Sequence, residues 1–436
     1  MTGNASVGEK SVLSKELRLS NGVTLSNRIA QSAMTEHLAT GDGAPSRQLI
    51  EAYKRFAVSG AALIISGNVM VNGWSLEAPR NVVIEDDRHL PQLRQWAATT
   101  AGTDARLILQ LSLAGRQSQR GLALAGRRQD VATASAVPMS IGGPLFKPPR
   151  ALSDLEIRQI IGQFATAARI AAEAGFAGVQ VHAAHGYSLS QFLSPLVNQR
   201  TDNWGGSAEK RMRMLIEIVR AVGSVTPQSF LLTVKMNVSD FQPGGFDAAE
   251  ALAVAKALEN EGVHLIEFSG GTYESSAMID GGVARDPSGA RKAYFLSYAK
   301  EFARELSVPM MLSGGFRSRT GHDRCDREWC GGCHRAGPTD RGRARLSPPH
   351  PRRQHRGQPR QAAESRQQEH RRPAQWRLVS GTNRPPRARQ AHPAEPDTHC
   401  GAGDHAGDDV ARSADREDPR PGGPPVMRAR TGAVSR

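Results

Sequence analysis

Residues 153–184 read SDLEIRQIIGQFATAARIAAEAGFAGVQVHAA, a helix pattern followed at once by a strand pattern. Ser153 with Glu156 three residues later predicts a capping box at the start of the helix, and Gly175 predicts its end. The run 177–184 is mostly apolar, which is typical of a parallel strand buried on both faces. The helix and the strand together therefore predict one unit of a βα repeat.

The same alternation extends from this unit towards both ends of the chain. We predict strands at 28–34, 61–66, 105–112, 177–184, 230–237, 263–270 and 308–315, with helices at 46–60, 89–102, 153–175, 207–222, 247–261 and 291–306. Seven βα units in one run favour an α/β protein of the (β/α)8 TIM barrel type over an open doubly wound sheet. The dinucleotide fingerprint G-x-G-x-x-G is absent after the first predicted strand, which agrees with a barrel.

The character of the sequence changes a little past residue 316. Residues 317–436 contain no Lys, Ile, Phe or Tyr, but they contain 25 Arg, 14 Pro and all four Cys. The codons of the missing residues are AT-rich, so a GC-rich gene read out of frame gives this composition. Read one base later, 322–340 can encode an amphipathic helix, an apolar strand and a Gly-x-Gly-Arg turn. We therefore hypothesise a frameshift near Gly321.

This break divides the chain into two predicted domains. Residues 1–321 are expected to form an incomplete barrel that lacks its eighth βα unit. Residues 322–436 are expected to be a low-complexity basic tail, translated out of frame and disordered. A barrel without its last strand exposes two sheet edges, so we expect poor solubility and weak cofactor retention of the chain as written.

The net charge of +14 is concentrated in the tail, because residues 1–316 carry only +3 and the last 120 residues carry +11. We therefore expect no specific nucleic-acid partner, and we interpret the haem-like CGGCH at 330–334 as accidental. The absence of Cys from residues 1–316 excludes a disulfide framework there. The N-terminus shows no apolar signal region, and no apolar run approaches the roughly 18 residues of a membrane span. A cytoplasmic protein without a membrane partner is expected.

Three residues with side chains suited to catalysis lie at the end of the fourth predicted strand: His182, His185 and Tyr187. Functional residues of a barrel lie at the C-terminal ends of its strands. Two imidazoles can polarise a carbonyl or phenolate oxygen, and a tyrosine hydroxyl can protonate a carbon that has just received a hydride. A capped turn with surface histidines is the alternative interpretation. No third ligand stands at a usual metal spacing, so we predict no metal site.

Two segments carry a resemblance to a known family. HAAHGYSLSQFLSPLVNQRTDNWGGS at 182–207 and LSNGVTLSNRIAQSAMTEHLA at 19–39 resemble the old yellow enzyme family of FMN-dependent NAD(P)H:flavin oxidoreductases, over roughly residues 11–321. The resemblance implies a barrel that holds FMN at its C-terminal mouth and takes hydride from NADH or NADPH. It also implies a small-molecule substrate, an activated alkene, and it leaves homo-oligomer formation open.

The resemblance also implies a role for individual residues. His182 and His185 would bind the carbonyl oxygen of the substrate, and Tyr187 would protonate its α-carbon. The flavin would be held by Ala33, Met34, Thr35, Gly67, Gln110 and Lys235, and its phosphate by Ser313, Gly314 and Gly315. Lys235 stands where the family usually has Arg, which keeps the charge near flavin N1 but loses the fork geometry.

The sequence departs from the family pattern at two places, and two other interpretations also stay open. Leu113 stands where the family often has His, and the Gly-Arg half of the phosphate site is expected only in the shifted frame. The first alternative is a catalytically dead barrel with a nucleic-acid-binding basic tail. The second is a related flavoenzyme similar to trimethylamine dehydrogenase.

The frameshift hypothesis makes a prediction at the level of the gene. Resequencing across the codon of Gly321 should reveal an inserted base or an equivalent indel, after which the restored frame encodes the Gly-x-Gly-Arg turn. Clean reads of an undisturbed frame across that codon would contradict the hypothesis.

Overall fold

The computed structural model describes residues 12–141, 143–274, 296–313 and 377–380, and the structural statements here concern these residues. Most of the strands join one parallel sheet, while β1 and β2 form a short antiparallel pair and β7 and β8 a short parallel pair. The strands are β1 (Leu17–Arg18), β2 (Thr24–Leu25), β3 (Ile29–Gln31), β4 (Leu63–Met70), β5 (Val82–Val83), β6 (Arg106–Ser112), β7 (Ala132–Thr133), β8 (Arg150–Ala151), β9 (Gly178–Ala183), β10 (Leu231–Asn237), β11 (Leu265–Ser269), β12 (Met310–Leu312) and β13 (Arg377–Ser380).

The large sheet closes on itself. Its strands follow the order β3-β13-β12-β11-β10-β9-β6-β4, and β4 pairs back to β3 with Leu63 opposite Ala30. All of these pairings are parallel, and β5 extends from the side of β4. Eight parallel strands in a ring confirm the predicted (β/α)8 barrel class.

A segment of the basic tail occupies the position of an eighth strand. Arg377–Ser380 lies between β12 and β3, with Val379 opposite Leu312 on one side and Ile29 on the other. Strands β12 and β3 would otherwise present unpaired N–H and C=O groups, which a further extended segment can satisfy. The expected loss of the original eighth βα unit stays a prediction. The remaining tail, including 322–340 and the four cysteines, lies outside the described residues.

Helices follow most strands of the barrel. They are α1 (Arg47–Ala57), α2 (Leu90–Ala97), α3 (Asp154–Ala174), α4 (Ser188–Leu193), α5 (Ala208–Val225), α6 (Ala248–Asn260) and α7 (Leu296–Glu305). Six of them are the helices that the periodicity predicts. The short helix α4 is not predicted by the periodicity. The predicted capping box of α3 is present: Glu156 N–H donates to Ser153 Oγ at 3.3 Å, and Ser153 N–H donates to Glu156 Oε2 at 2.8 Å. Gly175 ends the helix in the left-handed region, with φ of 94°.

The inward face of the barrel changes from apolar to polar along its strands. At the N-terminal ends of the strands, Leu63, Ile65, Ile108, Leu231 and Leu265 pack into one cluster, which the β1–β2 hairpin covers with Leu17 and Leu25. Further along, the inward positions are polar and buried: Gln110, Gln180, His182, Thr233, Lys235 and Glu267. A larger apolar cluster lies between the helices and the outer face of the sheet. The polar layer therefore opens at the C-terminal mouth, where the candidate site lies.

Ser153→Ala should lower the free energy of unfolding by about 1 kcal/mol, because an N-cap hydrogen bond of α3 is lost. Urea denaturation measures the change, and Ser20→Ala, at an exposed serine in the turn between β1 and β2, serves as the matched control. Equal destabilisation by the two substitutions would show that the cap contributes nothing.

Candidate active site

The structure brings His182, His185 and Tyr187 together at the end of β9, as the sequence predicts. The ring centres of His182 and His185 are 5.2 Å apart, and those of His182 and Tyr187 are 4.9 Å apart. His182 is the penultimate residue of β9, whereas the other two lie in the turn that leads into α4. Three polar rings thus share one small volume inside the barrel mouth.

The backbone of this turn is held in an uncommon conformation. His185 has φ of 63°, in the left-handed region that non-glycine residues seldom adopt. Its N–H donates to Asn237 Oδ1 at 3.0 Å, and its carbonyl accepts from Gln117 Nε2 at 2.7 Å. At the following Gly186 a Cβ would come within 2.9 Å of the same Gln117 amide. Neighbouring strand ends therefore fix the turn and, with it, the direction of the two histidine rings.

Both histidines are neutral in this environment. Burial, the neighbouring His185 and the Lys235 ammonium hold the pKa of His182 well below its usual value. Burial and the same ammonium also lower the pKa of His185. His182 Nδ1 accepts from Ala184 N–H at 3.2 Å, which assigns the proton to Nε2. His182 can therefore act as a hydrogen-bond donor without carrying a charge.

The hydroxyl of Tyr187 lies within a chain of oxygen atoms. It is 3.1 Å from Glu77 Oε1 and 2.8 Å from the hydroxyl oxygen of Tyr273. Burial, the Glu77 carboxylate and Tyr273 raise the pKa of Tyr187 well above its usual value. Tyr187 therefore keeps its proton at neutral pH and is available as a general acid.

Lys235 pairs with a buried carboxylate. Its Nζ lies 2.9 Å from Glu267 Oε1, and the two side chains are 5% and 0% exposed. Gln180 Nε2 donates to the other Glu267 oxygen at 2.9 Å, and Ser32 Oγ donates to Oε1 at 3.1 Å. Burial works to raise the pKa of Glu267. The charge and hydrogen bond of Lys235, together with hydrogen bonds from Ser313 and Gln180, outweigh it and hold the pKa below its usual value.

The predicted flavin-contacting residues after β3 lie at the mouth of the barrel. Met34 is 44% exposed although its side chain is large and apolar, and Ala33 and Thr35 are partly exposed. Thr35 Oγ1 donates to Glu77 Oε2 at 3.0 Å, so Thr35 and Tyr187 share one carboxylate. A Cβ at Gly67 would overlap the Glu36 side chain and the Met34 carbonyl oxygen. Glycine at 67 is therefore required by the close approach of this loop to β4.

Some of the remaining predicted residues lie within the described part of the chain, and others lie outside it. Gln110 is buried in β6, and its Nε2 donates to Gln180 Oε1 at 2.6 Å. Ser313 is buried just past β12 and hydrogen bonds to Glu267. Gly314 and Gly315 lie outside the described residues, so the predicted phosphate turn has no structural account. Leu113 is 1% exposed and belongs to the apolar core.

This set of residues fits a flavin. Gln110 and Lys235 supply the amide and cationic donors that a flavin pyrimidine edge needs, and they lie in the same polar layer. The exposed Met34 offers apolar surface that a planar ring would cover.

Among the residues described, no group of three His, Cys, Asp or Glu side chains could hold a metal ion. In the same part of the chain, no helix combines the length and apolarity needed to cross a membrane.

Sequence reasoning missed the partners of the predicted residues. Glu267 and Gln180 were detectable, because each is a polar residue within an apolar strand, in LIEFS and GVQVHA respectively. Glu77 and Tyr273 gave no such signal, because both lie in loops whose path depends on the tertiary structure.

Comparisons with known proteins point to one family. The model of the NADH:flavin oxidoreductase / NADH oxidase family matches residues 15–325. An NADH-dependent flavin oxidoreductase, iccE of Talaromyces variabilis, is 33% identical over 323 residues, which cover 70% of this chain and 78% of the relative. The NADH-dependent flavin oxidoreductase iliE of Neonectria sp. is 33% identical over 332 residues, covering 70% of this chain but only 43% of that relative. The chain thus spans less than half of one relative and most of another.

Solved structures support the fold. Morphinone reductase superposes with a TM-score of 0.60 at 24% identity, covering 73% of this chain and 84% of that one.

Because both buried histidines have lowered pKa values, we expect the protein to lose stability at acidic pH. An unfolded chain takes up protons near pH 6.5, whereas the folded chain does not, so the free energy of unfolding should fall as pH drops below about 6.5. The slope should reach up to about 1.4 kcal/mol per pH unit for each histidine. Urea denaturation between pH 7 and 5 measures this slope, which the double variant His182→Asn/His185→Asn should flatten. The exposed His37→Asn is the control, and a double variant with the slope of the original protein would contradict the prediction.

Proposed function

The chain belongs to the NADH:flavin oxidoreductase / NADH oxidase family, and we propose that it is an FMN-dependent NAD(P)H oxidoreductase of the ene-reductase type. Bound FMN would pass hydride from NADH or NADPH to the β-carbon of an activated alkene. The observation that carries the proposal is the cluster of the His182, His185 and Tyr187 rings at one strand end. Burial there lowers the pKa of both histidines and raises the pKa of the tyrosine.

The histidines suit the binding of an uncharged substrate carbonyl. His182 keeps its proton on Nε2 and can donate it to the carbonyl oxygen. His185 is held by its bond to Ser269 Oγ at 2.7 Å and by its fixed backbone. Donors that are rigid before substrate arrives stabilise the negative charge that develops on that oxygen as the alkene is reduced.

Tyr187 suits the proton transfer that completes the reduction. Its raised pKa keeps the hydroxyl loaded with a proton at neutral pH. Its ring lies beside that of His182, so an alkene whose carbonyl is bound by the histidine would have its α-carbon near the hydroxyl. The O–H bond of Tyr187 would break as the C–H bond at the α-carbon forms.

Lys235 and Gln110 are the proposed contacts of the flavin pyrimidine edge, with Ala33, Met34 and Thr35 beside the ring. Lys235 uses Glu267 as a counter-ion, and an ammonium group has three donors, so further donors are available to a ligand. The Ser313 segment, followed by Gly314 and Gly315, is the proposed start of the phosphate site. Gly67 is proposed to allow the loop after β3 to approach closely enough to hold the ring.

The test uses the purified full chain supplied with excess FMN and with NADH or NADPH under anaerobic conditions, with cyclohex-2-enone as the alkene. We expect consumption of the nicotinamide at 340 nm and formation of cyclohexanone. Tyr187→Phe should slow alkene reduction by about 10²- to 10⁴-fold, the usual contribution of a general acid. Nicotinamide oxidation with ferricyanide, which needs no proton on carbon, should be unchanged.

Tyr298→Phe on α7 is the matched control, because it makes the same chemical change outside the site. A chain that binds FMN and oxidises the nicotinamide with ferricyanide, but never forms cyclohexanone from the enone, would overturn the alkene proposal.

A further inference from the structure

Tyr187, the proposed proton donor, is buried, and its hydroxyl contacts two groups that are themselves partly exposed. Tyr187 is 4% exposed, and its hydroxyl contacts Tyr273 at 2.8 Å and Glu77 at 3.1 Å. Tyr273 and Glu77 are each only partly buried. A buried acid that gives up its proton in every turnover needs a route by which another proton reaches it, and these two groups are the hydroxyl's neighbours.

The hydrogen bonds around Glu77 fix the direction of this chain. Thr35 Oγ1 and Asn81 Nδ2 donate to Glu77 Oε2, at 3.0 and 3.2 Å. The other oxygen, Oε1, accepts from the Tyr187 hydroxyl. Because the proton of Tyr187 points to the carboxylate, its oxygen accepts from the hydroxyl of Tyr273. The order of donation is therefore Tyr273 to Tyr187 to Glu77.

We propose that Tyr273 returns a proton to Tyr187 after each turnover, and that Glu77 keeps Tyr187 protonated between turnovers. The inference rests on the proposed function, in which Tyr187 protonates the substrate. Once the Tyr187 proton has bonded to the α-carbon, the O–H bond of Tyr273 breaks as a new O–H bond forms on Tyr187. Tyr273 then takes a proton from water, which leaves the protein unchanged over the cycle.

The charges around the two hydroxyls are consistent with this direction. Burial raises the pKa of Tyr273 as well as that of Tyr187, and the Glu77 carboxylate contributes to both. A tyrosinate on Tyr187 would lie within hydrogen-bond distance of this negative charge. The carboxylate therefore favours return of the proton to Tyr187 once the reaction has removed it. Glu77 also accepts from Thr35, so the proton donor and the loop beside the proposed flavin site are held by one residue.

Stopped-flow measurements on the full chain with bound FMN test the relay. Tyr273→Phe should slow steady-state reduction of cyclohex-2-enone by at least about tenfold. Reduction of the flavin by the nicotinamide, and its reoxidation by ferricyanide, should keep their original rates. A small weak acid such as acetic acid should restore part of the lost rate, which a purely structural role of Tyr273 would not allow. Tyr298→Phe is the matched control.

A titration provides a readout that does not depend on turnover. Glu77→Gln removes the negative charge beside Tyr187, so tyrosinate absorbance at 295 nm should appear at lower pH than in the original protein. The double variant Glu77→Gln/Tyr187→Phe should lose this component, and Glu51→Gln on the exposed face of α1 should leave the titration unchanged. This titration decides the role of Glu77 even if Tyr273→Phe fails to fold.

The outcomes separate the relay from the function on which it rests. An original protein that does not reduce the enone contradicts the proposed function itself. An original protein that reduces it and depends on Tyr187, together with a folded Tyr273→Phe variant of unchanged rate, overturns the relay. An unchanged tyrosinate titration in Glu77→Gln overturns the assigned role of Glu77.

Discussion

The buried ion pair between Lys235 and Glu267 is the interaction on which the polar half of the barrel depends. The two residues face each other in register on β10 and β11, and almost no part of either side chain reaches solvent. Burying two charges costs several kcal/mol per ion unless good geometry and further hydrogen bonds offset it. Gln180 and Ser32 supply those bonds, and Gln110 extends the network through Gln180 to β6. Polar side chains from four strands, together with Ser32 just past β3, are thus linked through one carboxylate.

The Lys235 ammonium of this pair also contributes to the protonation states in the site. Lys235 lies opposite His182 in the register between β10 and β9. Its positive charge adds to burial in lowering the pKa of both histidines, so each imidazole stays neutral. The pKa of Tyr187 is raised by burial and by a neighbour of opposite charge to Lys235, the carboxylate of Glu77. Burial, aided by two charges of opposite sign, therefore keeps the imidazoles neutral and the neighbouring tyrosine protonated.

The sequence predicted the repeating units well, because helix periodicity, capping residues and apolar strands are local signals. The cap of α3 and the cluster of His182, His185 and Tyr187 could be located from the sequence because they lie on one continuous segment. Glu77 and Tyr273 could not, since their contacts with Tyr187 span 110 and 86 residues. The position of Arg377–Ser380 could not be predicted either, because its partners in β12 and β3 lie far from it in the sequence.

Because of the same ion pair, the folding of the barrel does not require a bound ligand. A lone ammonium at the depth of Lys235 would favour the unfolded chain, in which water solvates it, unless a bound anion supplied the opposite charge. Glu267 supplies that charge from within the chain, and its remaining lone pairs are satisfied by neighbouring side chains. The polar layer can therefore fold before any cofactor arrives. An ammonium with three donors still has capacity beyond its bond to Glu267, so a ligand at the mouth can bind without breaking the pair.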